Sequence, residues 1–128
     1  MVADQPFGFG GTNQGPKPSE YVLTALAACQ EVTYRLYADA LGIPLRSVSV
    51  KAEGLQDLHG FLGIDESLRP GFQQVSVTVT LDSSAPAEDL ERLRETVNRH
   101  CPVLDDLRTP IPVSLHVVIK DCETEKSG

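Results

Sequence analysis

Three cysteines, Cys29, Cys101 and Cys122, carry most of the chemistry this sequence offers. A thiolate can attack a peroxide oxygen and become a sulfenic acid. A second thiol can then condense with it to form a disulfide. Such a pair needs one sulfur whose ionisation is favoured by nearby positive charge or hydrogen-bond donors, and a pocket for the leaving group. The competing reading is that Cys29 and Cys101 are small buried hydrophobes, because free cysteine is among the most buried residue types. Cys122 falls in the polar run Asp121-Cys122-Glu123-Thr124-Glu125-Lys126, where acidic neighbours disfavour a thiolate, so it is read as incidental.

No C-x-x-C pair and no H-x-x-x-H spacing is present, so a zinc ribbon, a thioredoxin motif and a helical zinc site are excluded. No metal or cofactor is expected. His100 precedes Cys101 directly and is a supporting candidate, as a proton shuttle or as a charge beside the thiol. The alternative is an ordinary surface histidine at a helix end. The Gly-rich run from Gly8 to Gly15 lacks the spacing of a phosphate cradle. Asp105 and Asp106 are adjacent on a helix, so their side chains point apart and do not form an acid/base pair.

The elements that must position the thiols follow from periodicity. Residues 1–17 read as an irregular arm, because Gly is costly to order and Pro removes donors. A long helix is predicted from about Pro18 to Leu41, with Glu20 complementing its positive end, Gly42 at its C-terminal stop and Pro44 beyond. Val22, Leu26, Cys29, Val32, Leu36 and Ala40 make its expected buried stripe, which turns Cys29 inward. Ala25, Ala27 and Ala28 make this section narrow and suited to close helix packing.

Three strands are predicted from alternation: Val48-Val50-Ala52, Val75-Val77-Val79-Leu81 and Val113-Leu115-Val117-Ile119. Such a sheet is expected to be antiparallel with one covered face. The stretch from Leu58 to Gly71 reads as a loop with a helical turn near Asp65–Leu68. A second helix begins near Pro86, with Ser84 as its expected cap. Leu90, Leu93, Val97 and then Cys101 form its stripe. Pro102 ends it and opens a short following helix, which puts Cys101 at a junction. Amides aimed at the Cys101 sulfur would favour its thiolate. Both cysteines therefore belong to apolar stripes of different helices.

With 128 residues, 41% hydrophobic and 23% charged, the chain is expected to be one globular domain spanning 1–128, with a polar tail at 121–128. The formal charge of −7 argues against nucleic acid and against anionic membrane surfaces as partners. No apolar run reaches the ~18 residues of a membrane helix, and the N-terminus lacks the pattern of a signal peptide. A cytoplasmic protein with reduced thiols is expected.

The run from Gly11-Thr12-Asn13-Gln14-Gly15-Pro16-Lys17-Pro18-Ser19-Glu20 into Ala25-Leu26-Ala27-Ala28-Cys29 resembles the OsmC/Ohr family, the osmotically inducible and organic hydroperoxide resistance proteins. Asn98-Arg99-His100-Cys101-Pro102-Val103 is similar to that family's second cysteine motif, and the resemblance extends over about residues 10 to 120. It implies an α+β OsmC-like fold: long central helices packed on antiparallel β-sheet, in an intertwined homodimer. It also implies thiol-dependent reduction of an organic hydroperoxide, with Cys29 as the attacking and Cys101 as the resolving cysteine, and a small dithiol of the lipoyl type as reductant. Two departures accompany it. Ser19 stands where the family's peroxidases place a Glu, so that Glu20, the other supporting candidate, lies about 100° further round the helix. The family's N-terminal β-hairpin, with its thiolate-stabilising Arg, is expected to be missing or shortened. Lys17 is the one basic residue ahead of Cys29, which leaves Arg35, Arg46 and Arg69 as substitute cations. A non-catalytic OsmC-like module binding a small apolar ligand between subunits is the alternative. A thioesterase-like fold with a long helix wrapped by a sheet is a third reading.

Overall fold

The computed structural model describes residues 17–120. The expected arm, apart from Lys17, and the tail with Cys122 lie outside the described residues. Helix α1 runs Lys17–Leu41 and strand β1 runs Ser47–Gln56. A single helical turn, α2, covers Leu58–Phe61, and β2 covers Phe72–Asp82. Helices α3 (Ala87–His100) and α4 (Pro102–Arg108) follow.

Helix α1 stops where its sequence says it must. Gly42 takes φ 71°, a left-handed conformation that costs a residue with a Cβ about 1–2 kcal/mol. The turn closes with Gly42 N–H donating to the Asp39 carbonyl and Ile43 N–H to the Ala38 carbonyl at 2.8 Å. Ile43 is thereby turned back into the core beside Tyr34 and Ala38.

Strands β1 and β2 pair antiparallel, with Val48 opposite Leu81, Val50 opposite Val79 and Ala52 opposite Val77. The apolar residues of both strands therefore share one face, and α1 packs against it along β1. Gly54 faces Val75, and the Phe72 ring lies over the position a Cβ would take at Gly54. In the connection, Gly60 passes so close to the Arg69 carbonyl that a side chain there would collide with backbone. The helical turn of this connection forms at Leu58–Phe61, ahead of the expected Asp65–Leu68, because Asp57 caps it by accepting from His59 N–H at 2.9 Å. Asp65–Leu68 closes as a turn instead, with Asp65 accepting from the amide and hydroxyl of Ser67.

Helix α3 starts as expected in position but not in cap. Pro86 is the capping residue and makes no side-chain cap, whereas the Ser83 hydroxyl accepts from Ala85 N–H and donates to the Pro44 carbonyl. Ser84 is not the cap, because Ser83 ties this turn down one residue earlier. Leu93 and Val97 are fully buried against α1, joining Tyr34, Ala38 and Ile43 in the core.

Two expectations are corrected. The buried face of α1 is Leu26, Gln30, Thr33, Tyr34 and Ala38, whereas Val22, Val32 and Leu36 of the expected stripe are exposed, Val32 at 67%. The helix is apolar on two faces. The one that meets α3 and the sheet is set by where those elements dock, which periodicity along one helix does not reveal. The third strand does not form among the described residues. Residues 109–120 carry no helix or strand, and Leu115 and Val118 are 86% and 90% exposed. Among the described residues the sheet has the two strands β1 and β2, and the apolar alternation of the C-terminal segment has no ladder partner there.

The core is small and lies between α1 and α3, so truncation on α3 is expected to be costly. Leu93→Ala should lose about 2–5 kcal/mol in chemical denaturation, and Gly42→Ala about 1–2 kcal/mol through backbone strain alone. A loss below about 1 kcal/mol in Leu93→Ala would mean that the core does not run through α3.

Candidate thiol site

The site is built from the middle of α1 and the α3–α4 junction. Cys29 lies on α1, half-buried, and Cys101 is buried, at 1% exposure. The Cys101 thiol lies 3.3 Å from the Cys29 sulfur, within S–H···S hydrogen-bonding distance, and both thiols are free. Cys101 ends one helix and starts the next. Its N–H donates to the Val97 carbonyl and its carbonyl accepts from Asp105 N–H at 3.0 Å. Pro102 fits the first position of α4, where no amide is needed. Both backbone groups of Cys101 are thus committed, which fixes the direction of its side chain toward α1.

Around Cys29 the polar contacts are few. The Val103 backbone N–H donates to its sulfur. The Thr33 hydroxyl donates to the Cys29 carbonyl at 2.6 Å and lies 3.9 Å from the sulfur. Burial pushes the Cys29 thiol above the ordinary cysteine range; the Val103 amide pulls it down, the Cys101 thiol pushes it further up, and Thr33 pulls it down slightly. None of these influences is a cation. The amide of the short helix is therefore directed at Cys29, and the expectation that it serves Cys101 is corrected: Pro102 opens α4, so the first free amide, that of Val103, meets the sulfur of the neighbouring helix.

The other sequence candidates are placed as follows. Glu20 is in the first turn of α1, with Oε1 buried and without a partner among the described residues. His100 is exposed, its Nδ1 donating to the Thr96 carbonyl at 2.8 Å while its ring stacks on Tyr37 at 5.2 Å between centroids. Its observed contacts hold the end of α3 rather than a sulfur. Of the substitute cations, Arg35 donates to the Leu45 carbonyl and Arg46 pairs with Asp82 at 2.7 Å. Arg46 holds the Asp82 carboxyl below its usual range and is engaged there. Thr33 and Val103 are the contributors that the sequence reading missed. A threonine one turn after a helical cysteine was the available signal for Thr33, since β-branched hydroxyls commonly bond back to the carbonyl four residues earlier. Among the described residues no cluster of His, Cys, Asp and Glu is suited to a metal.

The fold and these thiols define a class. The sequence model of the family described as OsmC-like protein matches residues 11–116, and the chain belongs to that family. The α+β architecture agrees with solved structures. An OsmC-like protein from Mycoplasma pneumoniae superposes with TM-score 0.65 at 20% identity, covering 77% of this chain and 67% of that one. An organic hydroperoxide resistance protein OsmC from Legionella pneumophila gives 0.59 at 22%, covering 82% and 71%. OhrB, the organic hydroperoxide resistance protein of Bacillus subtilis, gives 0.51 at 17%, covering 83% and 73%. No curated protein matches the sequence. Among the described residues no helix is long and apolar enough to cross a membrane.

The raised Cys29 thiol has a measurable consequence. Alkylation by iodoacetamide, followed on the Cys29 peptide by mass spectrometry, should keep accelerating with pH beyond about 8.5, where an ordinary thiol is half ionised. A plateau well below that pH would mean that a positive charge reaches the sulfur in solution.

Proposed function

We propose that the chain is a thiol-dependent reductase of organic hydroperoxides, acting through Cys29 and Cys101. The observation that carries this reading is the 3.3 Å approach of two free sulfurs from opposite ends of the chain. In the first step the Cys29 thiolate attacks the outer peroxide oxygen. The O–O bond breaks, the alkoxide leaves as alcohol after taking a proton, and Cys29 becomes a sulfenic acid. The Cys101 sulfur then attacks the Cys29 sulfur, an S–S bond forms and water leaves. The peroxide gains two electrons and the thiol pair loses them. A small dithiol of the lipoyl type returns these electrons by exchange at the exposed side of Cys29. Membership of a family that includes organic hydroperoxide resistance proteins supports the substrate class.

Attack begins from the thiolate. The burial that raises the Cys29 thiol therefore limits the first step, while proximity speeds the second. Val103 N–H is the donor already aimed at the charge that develops on sulfur. Glu20 and His100 act through the ends of α1 and α3 and not by contact with sulfur. The same raised thiol, with no cation among the described influences on it, favours a second reading, the non-catalytic OsmC-like module that binds a small apolar ligand.

The working unit proposed is a homodimer in the cytoplasm. The outward face of α1 presents Tyr21, Val32 and Leu36 to solvent, and the C-terminal segment presents Val113, Leu115, Val117 and Ile119. Covering the four apolar residues of that segment would contribute on the order of 8 kcal/mol, and a second copy supplies the matching apolar face of α1.

Addition of cumene hydroperoxide to the reduced protein should convert Cys29 and Cys101 into one disulfide, seen as a loss of two thiols by mass. Cys29→Ser should abolish peroxide consumption. Cys101→Ser should leave a sulfenic acid that dimedone traps at Cys29. Unchanged thiols in folded protein would remove the reductase reading and leave the binding module. Sedimentation should give a dimer, and Val117→Asp should shift it toward monomer.

A further inference from the structure

Besides Cys101, Thr33 is the one side chain among the described residues that comes within hydrogen-bonding reach of the Cys29 sulfur. It lies one turn further along α1 and is 6% exposed. Its hydroxyl donates to the Cys29 carbonyl at 2.6 Å and lies 3.9 Å from the Cys29 sulfur, so both of these contacts are with atoms of one residue. The other polar groups nearby are fixed or engaged. Gln30, next in the chain, is buried with Nε2 lacking any partner among the described residues, and so gives the sulfur no donor. The Val103 amide is held in the backbone of α4, and Cys101 gives up its thiol in the proposed second step.

A threonine hydroxyl can serve both charge states of a thiol. It carries one hydrogen and two lone pairs, and the hydrogen swings about the C–O bond while the heavy atoms stay in place. In the neutral site the hydrogen rests on the Cys29 carbonyl, and a lone pair is left for the Cys29 S–H, itself a weak donor. Once the sulfur is charged it becomes the better acceptor, because hydrogen bonds to an ionised partner are roughly twice as strong as neutral ones. The carbonyl loses little, since in the interior of α1 it still accepts the helical bond from the Thr33 amide. Branching at Cβ restricts χ1 in a helix and keeps the hydroxyl beside Cys29.

We propose that the Thr33 hydroxyl turns from the Cys29 carbonyl to the Cys29 sulfur as the thiol ionises, and so joins the Val103 amide as a donor to the thiolate. The inference rests on Cys29 being the attacking thiol of the proposed reaction. The thiol proton leaves to solvent on the exposed side of the half-buried Cys29. Cys101 is the one titratable group among the described influences on that sulfur, and it opposes ionisation. Thr33 and Val103 therefore act together against burial and against Cys101.

The initial rate of iodoacetamide alkylation at the Cys29 peptide, followed from about pH 7 to about pH 10.5 on the reduced full-length chain, tests this. Thr33→Val keeps the branched shape and removes the hydroxyl. Its midpoint should lie about half a pH unit above that of the unaltered chain, which is about a threefold loss of thiolate at neutral pH. A less stabilised thiolate is the better nucleophile, with a slope of about 0.4–0.5. The variant should therefore react about twofold slower below the midpoint and up to about twofold faster above it. Thr33→Ser should restore the midpoint to within about 0.2 of a pH unit. Thr33→Ala should repeat the Thr33→Val shift, and it carries the test if Thr33→Val does not fold. An unchanged midpoint in either folded variant overturns the proposal. So does a rate altered by the same factor at every pH, which is changed access to the sulfur, or a Thr33→Ser profile that follows Thr33→Val, which is lost methyl packing. Alkylation reads the thiolate itself: if cumene hydroperoxide leaves both thiols unchanged, the reductase reading falls while the shift in Thr33→Val still supports the hydroxyl as donor.

Discussion

Cys101 closes one helix with its amide and opens the next with its carbonyl, and the geometry of the site depends on that double commitment. A residue whose backbone is bonded on both sides has little freedom left in the direction of its Cα–Cβ bond. Leu93 and Val97, buried on the same face of α3 one and two turns earlier, press that helix onto α1. Together these constraints place the Cys101 sulfur against Cys29 without any covalent link. The same junction turns the Val103 amide onto the Cys29 sulfur, because Pro102 has none to offer. One proline thus ends a helix, starts another and decides which amide meets the thiol.

The site is a compromise between closeness and activation. Burying Cys101 and half-burying Cys29 brings the sulfurs within 3.3 Å, but the same desolvation holds Cys29 in its neutral form. Val103 and Thr33 offset this only in part, since one amide and one hydroxyl do not replace a cation. The arginines nearest in sequence are engaged elsewhere: Arg35 secures the turn after α1 and Arg46 secures the first rung of the sheet through Asp82. Arg35 and Arg46 thus hold the turn after α1 and the pairing of β1 with β2.

Helix α1 explains both the successes and the errors of reading this chain from its residues. Its extent was legible because Gly42 and Pro44 are local stop signals, and the motif running into it, with the one around Cys101, carried the family resemblance. Its buried side was not, because apolar residues surround it: Leu26 and Tyr34 on one side, Val32 and Leu36 on the other. Periodicity reports that a face is apolar but not which partner covers it. The strands β1 and β2 were legible for the opposite reason, since strict alternation with serines and threonines leaves only one apolar face. The segment Val113–Ile119 alternates equally well, yet remains unpaired among the described residues, because alternation specifies a face and not a partner strand.

The sequence by itself determined helices α1 and α3, strands β1 and β2, the end of α1, the family resemblance, and the placing of two cysteines on helices. Those properties depend on residues close together in the chain: caps, glycines, prolines and short periodic runs. Only the tertiary structure decided that the two sulfurs meet, that Val103 rather than a side-chain cation faces Cys29, that Thr33 joins the site, and that Gln30 is buried with its amide unanswered. Each of these depends on the angle and depth at which α3 and α4 dock on α1. Those are set by the summed packing of side chains distant in sequence, and no local pattern encodes that sum.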